Sequence, residues 1–304
     1  MSSRRRFVLT APALAALALA VLPGAAGAAA ARTVEAVASF TVLADMVQQV
    51  GGARVHVTSL VGPNGDPHAF EPSPDDARKL KAADVVFVNG LGLEGWMTRL
   101  VKASGYAGQP VVATAGIRTL RITEDGKQVA DPHAWNSAAN GVAYVQNIVA
   151  ALSAADPEGA DAYRANGARY AGELQQLDSD ARQRIAAIPP PRRKVLTSHD
   201  AFGYFGAAYG VTFLFPSGLS TEGEASARAV AALIRQIKAE KVQTYFLENS
   251  NDPRLVEQVA RATGAQLGGT LYVEALSAPD GPAPTYAAMF RRNVDAMVAA
   301  MERE

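Results

Sequence analysis

The sequence predicts an α/β protein built as two similar α/β lobes joined by a long rigid helix, and three observations carry that expectation. Short apolar runs alternate with helical stretches over residues 33–116, a purely helical tract covers 140–188, and a second strand and helix series fills 194–303. Alternation of this kind reads as βαβα units around a parallel sheet.

Taken in order, "TVEAVASFTVLADMVQQVGG" begins as a period-two strand. It then shifts to the spacing Val42, Leu43, Met46 and Val50, which suits a helix ended by Gly51 and Gly52. "RVHVTSLVG" reads as a strand, "SPDDARKLKAA" as a capped helix, "DVVFVNG" as a buried strand and "GWMTRLVKASG" as a helix, before "PVVATAG". The pattern then changes to long helices, "GVAYVQNIVAALSAADP" and "DAYRANGARYAGELQQLDSDARQRIAAI", stopped by "PPPRR". The second of these is long enough to run beside two lobes. The series resumes at "KVLTSHD" and continues through "VTFLFPSG", "ASARAVAALIRQIKAE", "VQTYFLEN", "PRLVEQVARATG" and "AQLGGTLYVEAL", closing on the helix "TYAAMFRRNVDAMVAAMERE". The expected boundaries are a leader over 1–31, a first lobe over 32–150, a linking helix over 151–188 and a second lobe over 189–304.

The first 31 residues have a cationic start, an apolar stretch of roughly 14 residues and a run of small residues. That is the pattern of a cleaved signal peptide, since a membrane span needs about 20 apolar residues. "SRRRFVL" at Ser3 to Leu9 also has the look of a twin-arginine export signal. The expected location is therefore the periplasm or another extracytoplasmic space. Loss of the leader removes three arginines and no acids, so 29 basic and 29 acidic groups become 26 and 29, a net charge of −3. Such a balance holds no attraction for nucleic acid. Cysteine is absent, which excludes disulfides and thiolate metal sites and leaves imidazole and carboxylate as the strong ligands.

The chain has four histidines, and two of them share one tripeptide, Asp66-Pro67-His68 and Asp131-Pro132-His133. With His199 in "TSHDAF", three histidines fall in expected loops at strand ends, where open α/β sheets bind ligands. The fourth, His56, alternates within a strand and reads as structural or exposed. A proline before each of the first two histidines fixes φ and stiffens the loop. Neutral imidazoles suit zinc and similar borderline ions, and three of them call for one more donor, a carboxylate or water.

The strings "GDPHAFEPSPDDARKLKAADVVFVNGLGLEGW", "DPHAWNSAANGVAYVQNIVAAL", "VLTSHDAFGYFGAAYG" and "GGTLYVEALSAPDGPAPTYAAMFRRNV" closely resemble the zinc- and manganese-binding solute-binding proteins of bacterial ABC importers. The likeness covers nearly all of the chain after the leader. It implies two α/β lobes joined by one rigid helix, with the metal clamped between them. Position by position, it implies that His68, His133 and His199 are metal ligands, the last being His in zinc-type members and Glu in many manganese-type ones. The family's fourth ligand is an Asp, and its place is taken here by Glu274, one methylene longer. The resemblance implies bound Zn2+, with Mn2+ as the alternative, an ABC transporter permease as partner, a metallochaperone as a further candidate partner, and a monomeric protein.

A second departure is that "RTLRITEDGKQVADPH" lacks the histidine-rich loop of many zinc-type relatives. Glu124 and Asp125 could draw a cation weakly but read as a solvated turn. Asp200 and Glu248 are candidates to orient an imidazole through its other ring nitrogen, and Trp135 to pack beside His133. "GLGLEG" at Gly90 to Gly95 has the spacing of a dinucleotide-binding turn, yet no acid follows between Gly95 and Glu124 for a ribose, so a tight strand-to-helix turn is expected. The chain lacks the H-E-x-x-H spacing and a paired His-x-His. A metal-delivering binding protein is therefore expected rather than an enzyme, with a zinc hydrolase as the alternative.

Overall fold

The computed structural model describes residues 32–124, 126–215 and 226–303. The expected signal peptide with its twin-arginine motif, Asp125, and the end of the expected strand "VTFLFPSG" lie outside the described residues.

The first lobe is a parallel sheet of β1 (Val34–Ala38), β2 (Val55–Ser59), β3 (Val85–Val88) and β4 (Val111–Val112), in the order β2-β1-β3-β4. The second is a parallel sheet of β7 (Lys194–Leu196), β8 (Thr212–Leu214), β9 (Thr244–Glu248) and β10 (Gln266–Leu271), in the order β10-β9-β7-β8. Numbered within each lobe, both sheets run second, first, third, fourth. The lobes share one topology, and each has its switch point between its first and third strands. Strand β3 is buried at every position, as a continuous apolar run in a covered parallel sheet requires.

The first lobe's helices are α1 (Thr41–Gly51), α2 (Pro74–Ala82), α3 (Met97–Ser104) and α4 (Ala138–Ala155). The Ser73 side chain accepts from Asp76 N while Asp76 accepts from Ser73 N, a capping box that starts α2 ahead of Pro74. The long helix α5 spans Ala160–Ala186, roughly 40 Å at 1.5 Å per residue. The expected span of 151–188 therefore includes the last turn of α4 and a break at Asp156 and Pro157, where proline cannot extend the preceding helix. Buried Tyr163, Gly167, Tyr170, Leu174, Leu177, Ala181 and Ile185 form its inner stripe. At one end Asn166 donates to Val50 O in the first lobe; at the other Arg182 donates to Ala208 O and Arg184 pairs with Asp295 in the second. Gly167 sits where α4 and α5 touch, and an added Cβ would lie 2.4 Å from Val149 Cγ2.

The second lobe contains α6 (Gly203–Tyr209), α7 (Ala227–Glu240), α8 (Arg254–Thr263) and α9 (Tyr286–Arg303). Two elements depart from the sequence reading. One is α6, a helix too short to show a period. The other is an antiparallel hairpin, β5 (Arg121–Glu124) with β6 (Lys127–Ala130), which has little apolar alternation and is held by its backbone ladder and by Arg121 on Gln128 O. It occupies the stretch where a histidine-rich loop is lacking. One hydrophobic core runs through the first lobe, α5 and α9. A separate small cluster of Leu196, Leu214, Leu233, Ile237, Val242, Val256 and Val259 lies under α7 and α8. Among the described residues no helix is long and apolar enough to cross a membrane.

Candidate metal centre

The loops at the carboxyl ends of the strands converge between the lobes. His68 comes from the β2–α2 loop, His133 from the turn after β6, His199 from the β7–α6 loop and Glu274 from the β10–α9 loop. The repeated tripeptide is one turn used twice. Asp66 Oδ1 accepts from His68 N at 2.7 Å, and Asp131 Oδ1 accepts from His133 N at 2.9 Å. The proline between them has no N–H to offer, and its carbonyl is pinned in both copies: Trp96 Nε1 donates to Pro67 O and Asn89 Nδ2 to Pro132 O.

The four side chains offer ligand atoms that all lie within 4.8 Å of one another. Glu274 Oε1 is 2.8 Å from His68 Nε2, 3.2 Å from His133 Nε2 and 3.1 Å from His199 Nε2, and the Nε2 atoms of His68 and His133 are 3.2 Å apart. Donors at about 2.0–2.1 Å from a tetrahedral zinc stand roughly 3.3 Å from each other, so these contacts have nearly the spacing of such a shell. His133 and Glu274 are buried, while His68 and His199 keep a narrow exposed edge of 18% and 11% of their side chains.

Two imidazoles have their other nitrogen fixed. His133 Nδ1 donates to Asp131 Oδ1 at 2.9 Å, and His199 Nδ1 to Glu248 Oε2 at 2.6 Å. A carboxylate only accepts, so each bond holds the proton on Nδ1 and leaves Nε2 for an ion. Glu248 is itself held by Ser198 N at 2.7 Å and Asn251 Nδ2 at 2.6 Å. Burial opposes charge on His133, but hydrogen bonds to Asp131 and Glu274 outweigh it and push the ring up to about 9. Burial also opposes charge on His199, and the Glu248 and Glu274 carboxylates raise it well above the imidazole range. Glu274 resists the upward push of burial through the charges of His68 and His199, which hold it well below the carboxylate range. The balance of charges in the cluster favours positive charge at its centre, and its four ligand atoms could hold a cation.

The other sequence candidates separate. Trp135 lies 5.4 Å from the His133 ring, centroid to centroid, and its Nε1 donates to Val273 O at 2.7 Å, beside Glu274. Asp131 and Glu248, rather than Asp200, take the Nδ1 positions of His133 and His199. Asp200 is pushed up to about 6 by burial and by the nearby Asp131 charge. His56 is exposed on β2 and pairs with Glu35 across the strands. In "GLGLEG", Gly90 and Gly92 have φ of 83° and 92°. The Glu94 carboxylate accepts from Asn89 N, Gly90 N and Ser39 Oγ, so the amides a phosphate would need are taken by the protein. Sequence reasoning missed Asp131 as the His133 partner, although the tripeptide displays it, and missed Asn251, which no spacing marks.

Residues 36–300 match the family described as ZnuA, zinc-uptake complex component A, periplasmic. The chain belongs to this family. Among relatives, it is 34% identical over 266 residues to the iron-binding protein YfeA of Yersinia pestis, covering 87% of this chain and 85% of that one. It is 34% identical over 283 residues to the manganese-binding lipoprotein MntA of Bacillus subtilis, covering 91% and 92%. Among solved structures, the periplasmic zinc binding protein TroA of Treponema pallidum aligns with a TM-score of 0.83 at 29% identity, over 88% of this chain and 99% of that one. The Mn-bound periplasmic metal binding protein of Candidatus Liberibacter asiaticus aligns with a TM-score of 0.81 at 30% identity, over 88% and 100%. This ZnuA-family chain is thus a periplasmic metal-binding component of an ABC importer. The family and its relatives are substrate-binding proteins rather than enzymes, which sets aside the zinc-hydrolase alternative.

Proposed function

We propose that this ZnuA-family protein captures Zn2+ through His68, His133, His199 and Glu274 and passes it to the permease of its ABC importer. The observation that carries the reading is the convergence of three Nε2 atoms on one carboxylate oxygen at close to tetrahedral spacing. Three nitrogens and one oxygen suit zinc better than manganese, which favours oxygen-rich shells. Mn2+ is the second reading, favoured by the manganese-binding relative and the Mn-bound structural neighbour. Asp131 and Glu248 orient two of the ligands, and Trp135 supports the backbone of the fourth. The domain limits that go with this reading are a leader over 1–31, lobes over 32–150 and 189–304, and α5 within the linking stretch. Export by that leader, a monomeric state and loading by a metallochaperone belong to the same proposal.

Elemental analysis of protein purified from the exporting host, followed by competition between Zn2+ and Mn2+, tests the metal. Calorimetric titration of Glu274→Ala tests the ligand set. The variant is expected to keep its fold and weaken zinc by more than the about 10- to 100-fold typical of an outer partner, while Glu274→Asp keeps the charge and changes affinity less. Wild-type affinity in the Ala variant would exclude Glu274 as a ligand.

A further inference from the structure

The four residues that end β9 and follow it, Glu248-Asn249-Ser250-Asn251, all reach the metal centre, and Asn249 connects it to two other loops. Its side chain makes three hydrogen bonds. Oδ1 accepts from Val273 N at 3.3 Å, and Nδ2 donates to Ala275 O at 3.0 Å and to Asn64 Oδ1 at 2.9 Å. An asparagine amide has two N–H donors and one carbonyl, so its donors and its oxygen are all engaged. The two backbone partners settle which end is which, since Val273 N only donates and Ala275 O only accepts. They also flank Glu274 on both sides. The third partner, Asn64, belongs to the loop that carries His68, and has φ of 57° with its own N–H on Leu276 O.

We propose that Asn249 is a positioning residue of the metal centre, whose amide grips the backbone on either side of Glu274 and ties it through Asn64 to the loop of His68. The proposal rests on the reading of Glu274 as a ligand. The segment carrying Glu274 is gripped from the first lobe as well, by Trp135 Nε1 on Val273 O and by Thr41 Oγ1, which accepts from Leu276 N. Ser250 Oγ lies 3.4 Å from the carboxylate itself, at the far oxygen. Asn249 therefore joins the end of β9, where Glu248 holds His199, to the backbone beside Glu274 and to the loop of His68. A glutamate has one more rotatable bond than the family's usual aspartate, and a backbone held at both neighbours compensates for that longer arm. Ligands placed within a fraction of an ångström keep affinity that a loosely held site loses.

Zinc affinity, read by competition with a chromophoric chelator, is measured for wild type, Asn249→Ala, Asn249→Asp, Glu274→Ala and the Asn249→Ala/Glu274→Ala double variant. Asn249→Ala is expected to weaken zinc about tenfold or more. Asn249→Asp, which keeps the volume but faces two acceptors with an oxygen, is expected to do the same, and stands in if the Ala variant does not fold. In the Glu274→Ala background the Asn249→Ala change is expected to cost less than about twofold, and cobalt(II) spectra of Asn249→Ala should lose the intense visible bands of a four-coordinate ion. Equal loss in both backgrounds, or wild-type affinity in Asn249→Asp, overturns the proposal. Wild-type affinity in Glu274→Ala alone instead overturns the ligand assignment on which it rests.

Discussion

At Asp131 and Glu248 a carboxylate accepts a hydrogen bond from the Nδ1–H of an imidazole, and the opposite nitrogen faces Glu274. Three carboxylates then face three histidines in a buried space, and the sign of the pH dependence follows. His133 is raised from 6.5 to about 9. Its contribution to the stability of the metal-free protein is fully present below pH 6.5 and is lost as pH rises through about 9. Glu274 is depressed, so its contribution is present above 4.5 and lost as pH falls through its lower folded value. Metal binding has the opposite trend, because the ion must displace the imidazole proton. Metal-free protein should therefore lose thermal stability between pH 6.5 and about 9 while zinc affinity rises over that interval. Calorimetry at pH 7.5 in buffers of different ionisation enthalpy should show proton release on zinc binding, and a net release of zero would contradict the assignment. Glu248→Gln keeps an acceptor but removes the charge. It should weaken zinc about tenfold, and an unchanged chelator-competition curve would remove Glu248 from the site.

Helices α7 and α8 cover the outer face of the second sheet with a cluster of only seven buried apolar side chains among the described residues. Helices α4 and α5 share the large core that continues through the first lobe to α9. Local opening should cost least where the fewest apolar contacts are lost. Amide hydrogen exchange by mass spectrometry is expected to show α7 and α8 exchanging well ahead of α4 and α5, and equal protection would mean that the two clusters unfold as one unit. This difference between helices was only partly legible in the sequence. The apolar stripes of α5 and α8 are plain from spacing, but spacing does not say how many partners wait on the other side. The hairpin β5–β6 and the short α6 escaped for a related reason: each is stabilised by its backbone bonds and by neighbours distant in sequence rather than by an internal period.

Across residues 32–303, both lobes are fastened to one continuous helix and to each other. Tyr204 Oη donates to Asp131 O, Asn136 Nδ2 to Ala201 O, and Tyr286 N to Asp45 Oδ2. Few of these bonds could survive a wide swing of one lobe, so loading is expected to move loops more than lobes. A chain of about 270 residues has a radius of gyration of about 18 to 19 Å when compact. Small-angle X-ray scattering of zinc-loaded and metal-free protein spanning residues 32–304 should give superposable curves near that value. A clear expansion on metal removal would favour a hinge.

The α/β class, the paired series of strands and helices and the linking helix were all legible from local patterning, because strand and helix periods are properties of neighbouring residues. So were three of the side chains that meet, since the Asp-Pro-His turns and the loop at His199 are short-range signals, and the family resemblance added Glu274. What local pattern cannot carry is how residues from distant loops meet. That Asp131 and Glu248 take the Nδ1 positions of His133 and His199 while Asp200, adjacent to His199, takes neither of these depends on the direction in which each side chain leaves its loop. That Asn249 grips Glu274 from both sides depends on β9 and β10 lying side by side. These are consequences of strand order and register, and only the folded chain sets them, because the groups involved are brought together by packing rather than by proximity along the backbone.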